Sequence, residues 1–549
     1  MQYAFGYFTE ISKYIIIAIL CSFALISVVL LFSKNKTVTK CLGFIQIIMI
    51  FVIQAISFCH MTIIGKNEDY IFLYLFSQIL LIAILGLVHL IYEGGNIVLL
   101  NNMCMLLGIG FIMISRLDFN RAIRQIIIVA FSVIISIFIP ELIKKLHFWR
   151  QLSWIYGILG IGALSAVLVL GKHYGGSKIS YTIADTITFQ PSEFVKILFL
   201  FFLAGVLWED HSLINIIVSA FVAGLHVIIL VISTDLGSAL IFFVAYVFIV
   251  FVCTRNYLYL ILGFSGGSVA AYISYQLFYH VRIRVLIWQD PWKYIDNKGY
   301  QLTQSLFAVG SGNWFGMGLF GGNPKAIPLV DRDFIFSAIC EEMGVLSGIA
   351  IIILCVVCFL CMVEIAVKVK DHFYQLIVYG ISVVYIFQMF LTIGGGIKFI
   401  PMTGVTLPFV SYGGSSAMTM IFMFFIVQGI YLLLMEKGDT EDEIQKSARQ
   451  PVQGRRLRRR DIQSEDDTAY PTRSKSQGRP EFPEENFTAA ENFEEDFEEA
   501  YFEQPYEYHE ESANYYDSYE SYGYPDEEPG DYNEYYTEDG YESLPDEYE

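Results

Sequence analysis

Charge is scarce in this sequence of 549 residues. Asp, Glu, Lys and Arg make up 16% of it, against about 25% in a soluble globular domain. Apolar residues reach 55%, above the usual level of about 45–50%, and the mean hydropathy is +0.52. A soluble globular protein is excluded. The little charge present is unevenly placed. Residues 461–549 hold 30 Asp/Glu against Arg473, Lys475 and Arg479, a net of −27, which leaves residues 1–460 at +8 of the whole-chain −19. The pI near 4.9 therefore describes the tail, and the body is a basic, very hydrophobic membrane protein.

Metal and redox motifs are also lacking. The nine Cys are odd in number and lie in or beside apolar runs. Cys355, Cys358 and Cys361 have CxxC spacing but follow Ile351–Leu354 with no His or acidic neighbour on that stretch. They read as small apolar side chains of a membrane helix. The first apolar run is long enough to span and lacks a basic n-region and a small-residue cleavage site, so no cleavable signal is expected. The stretch 310-GSGNWFGMGLFGG-322 has neither GxGxxG nor Walker spacing after a strand, which argues against a nucleotide cradle. It reads either as part of a functional loop or as a tight re-entrant turn packed on the bundle. No nucleic-acid partner is expected.

A spanning helix needs about 20 largely apolar residues. Thirteen stretches approach this: 13–33, 42–64 and 70–92, then ten more near 99–116, 122–143, 150–170, 193–208, 211–232, 236–253, 257–278, 334–361, 373–397 and 406–435. The expected fold is thus an all-α polytopic membrane protein with about thirteen transmembrane helices, residues 1–96 holding the first three. Lys34, Lys36, Lys40, Lys144, Lys145, Arg150, Arg255, Lys368, Lys370 and the run Arg455–Arg460 share one side if the N-terminus is outside and the C-terminus inside. Arg116, Arg121 and Arg124 dissent. Among the outer loops, 171–192 and 279–333 are large, and long loops carry function more often than short ones.

The tail, 437–549, begins with a charged helix-like piece and passes the basic run 454-GRRLRRRD-461. It then becomes acidic and Tyr-rich. High net charge with few aliphatic residues cannot bury a core, so disorder is expected. The basic run fits contact with anionic lipid or a topology signal. The tyrosines are either partner-binding motifs for cytoplasmic proteins or a solvated spacer.

Ionisable groups at membrane depth are functional candidates by default. Glu193 and Lys196 sit i,i+3 after 190-QPS-192, where Pro191 suits a helix start, so they form either a structural ion pair or part of a site. Asp235 opens the ninth span as an N-cap or a reactive carboxylate. Asp333 ends the large outer loop in 331-DRDFIF-336. Position 336 is Phe, so a capping box is excluded and only a simple cap competes with a chemical role. Glu341 and Glu342 follow two turns deeper, one to line the interior and one to find a partner. Arg332 is placed to balance Asp331 and Asp333.

Four segments, 190-QPSEFVK-196, 234-TDLGSA-239, 333-DFIFSAICEEMG-344 and 401-PMTGVTLPFVSYGGSS-416, resemble the SEDS family, the RodA/FtsW/SpoVE proteins of bacterial cell-wall synthesis. The stretches 290-DPW-292, 300-YQLTQS-305 and 310-GSG-312 fall in the matching order. The resemblance spans about residues 97–436, a ten-helix core with three helices added before it. It implies a peptidoglycan glycosyltransferase that polymerises lipid II on the outer face of the cytoplasmic membrane, in division, elongation or sporulation. A class B penicillin-binding protein is the implied partner. It also implies Asp333 as catalytic base, with Glu193, Lys196, Asp235, Arg284, Gln304, Ser411 and Ser415 around the substrate. Cations, either Mg or Mn or Arg/Lys, would meet the pyrophosphate leaving group. The family's PExHTDFIF reads 328-PLVDRDFIF-336, its Arg-Trp reads Lys178-Ile179 and its QPDLGT reads STDLGS. Two other readings are a lipid II flippase and a catalytically silent scaffold of the cell-wall machinery. A flippase calls for repeat symmetry and a polar path to both faces; no internal repeat is present, and the acids cluster on the outer side.

Overall fold

The computed structural model describes residues 2–449 apart from 146–147, 171, 175–176 and 184–186. The tail from 450 on, with its basic run, its acidic Tyr-rich part and the disorder expected of it, lies outside the described residues. The described residues are helical almost throughout. The chain opens with α1 (Gln2–Phe32), α2 (Lys36–Gly65) and α3 (Asp69–Ile91). The next group is α4 (Ile97–Leu117), α5 (Phe119–Ser136), α6 (Ile139–Lys145) and α7 (Ser153–Leu170). After it come α8 (Pro191–Leu207), α9 (Leu213–Ile232), α10 (Leu236–Thr254) and α11 (Tyr257–Leu277). The shorter α12 (Tyr279–Gln289) and α13 (Tyr300–Gly312) precede α14 (Ile335–Lys368), α15 (His372–Gly396) and α16 (Gly414–Arg449).

Among the described residues twelve helical stretches are long and apolar enough to cross a membrane, α5 and α6 counting together as Phe119–Lys145. The remaining expected span is α8, a helix of 17 residues that starts with Pro191 at its first turn. Pro suits that place because its missing N–H would be unpaired there anyway. Both large loops carry structure. Segment 279–333 contains α12 and α13, and 171–192 contains an antiparallel meander of β1 (Lys172–Tyr174), β2 (Ser177–Ile183) and β3 (Ile187–Phe189).

Burial sorts the helices. α4 is enclosed over 89% of its span, whereas α11 is buried over none. A helix apolar all round belongs either in a core or against lipid, and these two show both cases. Small polar side chains knit the centre. Asn102 accepts from Ser27 of α1 (2.7 Å), and Gln46 of α2 donates to the same Ser27 (2.7 Å). Asn101 donates to the Gly43 carbonyl (3.0 Å). These bonds join α1 and α2 to α4, and α3 packs against α2 and α4, so the three added helices are packed into the body. Cys355, Cys358 and Cys361 are buried on α14 as free thiols.

The two ends of the bundle differ. Lys144 pairs with Glu436 and Arg150 with Asp371 at one end. The starts of α5, α8, α10 and α14 gather at the other end, which carries the candidate site.

Candidate functional site

Asp333 stands two residues before α14, and the 401–416 segment folds over it. Within that segment the Ser411 hydroxyl donates to the Arg332 carbonyl (2.5 Å) and accepts from the Leu407 N–H (2.9 Å). The Tyr412 N–H donates to the Asp331 carbonyl (2.8 Å). The backbone leading into Asp333 is thus held from both preceding residues. Gly110 of α4 makes room for this arrangement: a Cβ there would lie 2.8 Å from the Phe409 and Val410 carbonyls. Gly404 has φ +77, and a Cβ on it would be 3.7 Å from Asp333 Oδ2. The carboxylate therefore faces a bare backbone turn.

Asp333 is half-buried, and its carboxylate enters no hydrogen bond or salt bridge among the described residues. Its pKa is raised to about 6, with burial lifting it most, Arg332 and Arg284 drawing it down and Asp331 lifting it further. Arg284 of α12 donates through Nη1 to the Met402 and Thr403 carbonyls (3.3 and 3.1 Å). Burial lowers its pKa, and Asp333 and Asp235 raise it. One guanidinium thus holds the loop beside Asp333 and lies in the field of two carboxylates.

Asp235 takes the capping role of its two expected ones. It caps α10 by accepting from the Ser238 N–H (3.1 Å), and its second oxygen accepts from Ser192 Oγ (3.0 Å) and Gln190 Nε2 (3.2 Å). Gly237 lets α10 approach the loop, since a Cβ there would sit 2.1 Å from Val405 Cγ2. Glu193 and Lys196 form a buried pair at 2.9 Å, the lysine side chain 1% exposed. Lys196 also donates to Gln388 Oε1 (2.9 Å), and Gln388 Nε2 donates to the Thr406 carbonyl (3.1 Å). A buried charge needs such partners. Lys196 therefore ties α8 to α15 and, through Gln388, to the 401–416 segment.

The serines are likewise engaged: Ser415 Oγ accepts from the Gln190 N–H (3.0 Å), and Ser411 is fully used as described. Gln304 is half-buried on α13. Its neighbour Ser305 bonds Ser337 Oγ (2.6 Å) and the Gly396 carbonyl (2.8 Å), which seats α13 against α14. The site residues named from sequence therefore share one end of the bundle. Asp333 lies in the field of Arg332 and Arg284, whereas Ser411 and Ser415 bond backbone groups and Lys196 bonds the Glu193 and Gln388 side chains.

One pairing differs from expectation. Arg332 was placed to balance both neighbouring acids, but Asp331 pairs with Arg121 at 2.7 Å. Arg116 pairs with Glu342 at 2.9 Å, and Glu341 Oε1 accepts from the Asn323 N–H (2.8 Å). Two of the three arginines on the dissenting side are thus engaged with acids of the 331–342 segment. Their position against the charge rule was itself the signal that they had partners. Gln388 and Gln125 went unread; Gln125 donates to the Ser411 carbonyl (3.4 Å).

Among the described residues no three His, Cys, Asp or Glu side chains group to hold a metal. The arrangement offers one accessible carboxylate of raised pKa with two guanidiniums beside it, suited to taking a proton next to a developing anion.

Comparison with known proteins bears on this geometry. A family model described as FtsW/RodA/SpoVE, cell cycle protein, matches residues 96–432. Peptidoglycan glycosyltransferase RodA of Mycobacterium leprae (strain TN) is 30% identical over 353 residues, covering 58% of this chain and 74% of that protein. Stage V sporulation protein E of Bacillus subtilis (strain 168) is 31% identical over 316 residues, covering 55% and 85%. A solved structure titled "Structural coordination of polymerization and crosslinking by a peptidoglycan synthase complex" has the same fold over 62% of this chain and 98% of its own, with 21% identity and a TM-score of 0.53.

Proposed function

The chain belongs to the FtsW/RodA/SpoVE family of cell cycle proteins, and from that membership we propose that it is a multi-pass membrane peptidoglycan glycosyltransferase with Asp333 as its general base. The observation that carries the assignment is the Asp333 carboxylate itself. It is half-buried just outside a membrane span, turned toward Gly404, with a pKa of about 6. A base of that strength is ionised at neutral pH and close enough to it to be effective.

The substrate we propose is lipid II, polymerised on the outer face of the cytoplasmic membrane. The acceptor 4-hydroxyl oxygen bonds to the donor's anomeric carbon, its proton passes to Asp333, and the bond from that carbon to the lipid pyrophosphate breaks. A single displacement inverts the α-linked donor into a β-linked glycan. Arg284 and Arg332 supply positive charge near the departing pyrophosphate. A divalent cation, Mg or Mn, would be carried by the pyrophosphate with one or two carboxylates from the chain, the usual manner for Mg²⁺. The N-terminus lies outside and the C-terminus inside. In support, Lys144, Arg150, Arg255 and Lys368 fall at the ends of helices opposite the Asp333 end. A class B penicillin-binding protein is the proposed partner, suggested by the similar fold from a complex that couples polymerization to crosslinking.

The test is glycan polymerisation from labelled lipid II by purified protein, with a divalent cation, with and without the partner. Wild type is expected to make polymer and Asp333→Ala none. Polymer from both would leave the enzyme and remove Asp333 as base. Binding of lipid II without polymer, partner present, would remove the enzyme.

A further inference from the structure

We propose that the three helices outside the family match, α1–α3, contribute positioning residues for Asp333, His60 foremost, by bracing the glycine-rich stretch against a break in α14. The inference rests on the reading of Asp333 as base.

The break is at Gly344, whose φ of 84° and ψ of 159° lie outside the helical region. Residues 335–343 are therefore a short rod of their own, with Asp333 at its head. In an unbroken helix the Val345 and Leu346 amides would bond the Glu341 and Glu342 carbonyls. Here all four groups bond to the glycine-rich stretch. Met317 N–H donates to the Glu341 carbonyl and Gly318 N–H to the Glu342 carbonyl, both at 2.9 Å. The Asn313 and Trp314 carbonyls accept from Val345 N–H (2.9 Å) and Leu346 N–H (3.2 Å). The contact admits no side chain at its centre: a Cβ on Gly344 would lie 2.5 Å from the Trp314 carbonyl oxygen, and one on Gly316 2.4 Å from that of Glu342.

The opposite side of the stretch is covered by the added helices. His60 Nε2 lies 2.9 Å from the Leu319 carbonyl oxygen. A carbonyl only accepts, so Nε2 carries the proton and Nδ1 accepts from the Ser12 hydroxyl at 2.8 Å. Both side chains are buried. Lys13 Nζ reaches the Gly316 carbonyl at 3.5 Å. The Phe320 ring meets Tyr70 of α3 edge-on and carries Arg116 over its face at 4.1 Å. Arg116 is the residue paired to Glu342. A path of direct contacts therefore runs from His60 through Leu319 and Phe320 to Glu342 and the rod that starts at Asp333.

The test uses full-length protein in lipid nanodiscs with labelled lipid II, comparing wild type, His60→Ala, His60→Gln and Ser12→Ala. Two quantities are read: hydrogen exchange across 313–320 and the kcat/KM split of polymerisation. Loss of the Leu319 bond in His60→Ala should speed exchange there and lower kcat by about tenfold, the size of one hydrogen bond, with KM for lipid II unchanged. His60→Gln can still donate to Leu319 and should restore most of kcat. Ser12→Ala should move both quantities the same way by less, and serves if His60→Ala does not fold. Unchanged kcat in His60→Ala overturns the proposal, whether or not exchange rises, as does a loss that His60→Gln fails to restore. Wild type without polymer overturns the reading beneath it, and is seen before any variant is compared.

Discussion

The Ser411 hydroxyl and the Arg332 carbonyl, 2.5 Å apart, tie the Pro/Gly/Ser-rich segment to the peptide just before Asp333. Ser411 is 3% exposed and also accepts from the Leu407 N–H. Its replacement by Ala leaves a buried carbonyl and a buried amide unpaired. The expected destabilisation is about 1–3 kcal/mol, with a fall in kcat as the approach to Asp333 loosens. Thermal unfolding in detergent, run beside polymerisation assays, reads both. A Ser411→Ala protein of unchanged stability and rate would show that the hydroxyl does not hold this peptide.

Arg332 affects the proposed base through charge. It is among the groups drawing the Asp333 pKa down from the height to which burial lifts it. Arg332→Gln keeps the backbone carbonyl that Ser411 holds and removes the cation. The Asp333 pKa should rise above about 6, so the base stays protonated to higher pH. The acid limb of the kcat/KM profile should then move to higher pH than in wild type. Profiles from about pH 5 to about pH 8 cover the window around such a base. A limb that stays put, or moves down, would mean that a different group titrates.

The helices and the position of Asp333 were legible because both are local. Apolar length marks a span, and a carboxylate at the mouth of an apolar run is conspicuous whatever lies around it. The Glu193–Lys196 pair was legible for the same reason, the i,i+3 spacing placing both on one helix face. Partner choice between distant segments was not. Asp331 has a cation next to it in sequence, but its carboxylate is met by Arg121, 210 positions away, because α5 starts beside the 331–333 turn. The break at Gly344 was equally hidden. Glycine inside an apolar run is ordinary in membrane helices, and the backbone angles at Gly344 with the four exchanged backbone bonds show that the helix stops there. Nor does α12 stand out, since its 11 residues mix His, Arg and Trp with aliphatics and lack a clean apolar face.

The Arg121–Asp331 pair separates structure from chemistry within two residues. Asp331 is the other carboxylate near the proposed base and the first alternative to it. Its side chain is 4% exposed, and its Oδ2 is held by Arg121 at 2.7 Å, with Arg121 itself 38% exposed. A carboxylate so engaged must give up its partner before it can take a proton from a substrate hydroxyl, whereas Asp333 need not. Asp331→Asn should therefore keep most of the polymerase activity, while Asp333→Asn should lose about 10²–10⁴-fold, the usual share of a general base. Arg121→Ala should be the more damaging change to stability, because it leaves a buried charge unpaired. Partial exposure of the arginine reduces the expected loss to about 1–3 kcal/mol. Adding Asp331→Asn to Arg121→Ala should recover part of that loss, since the stranded charge is then gone. Thermal unfolding of the two single variants and the double variant forms a cycle that measures the coupling. A double variant no more stable than Arg121→Ala would argue against the pair as the support of this turn. Equal loss of polymerisation in the two Asp→Asn variants would end the assignment of Asp333 as sole base.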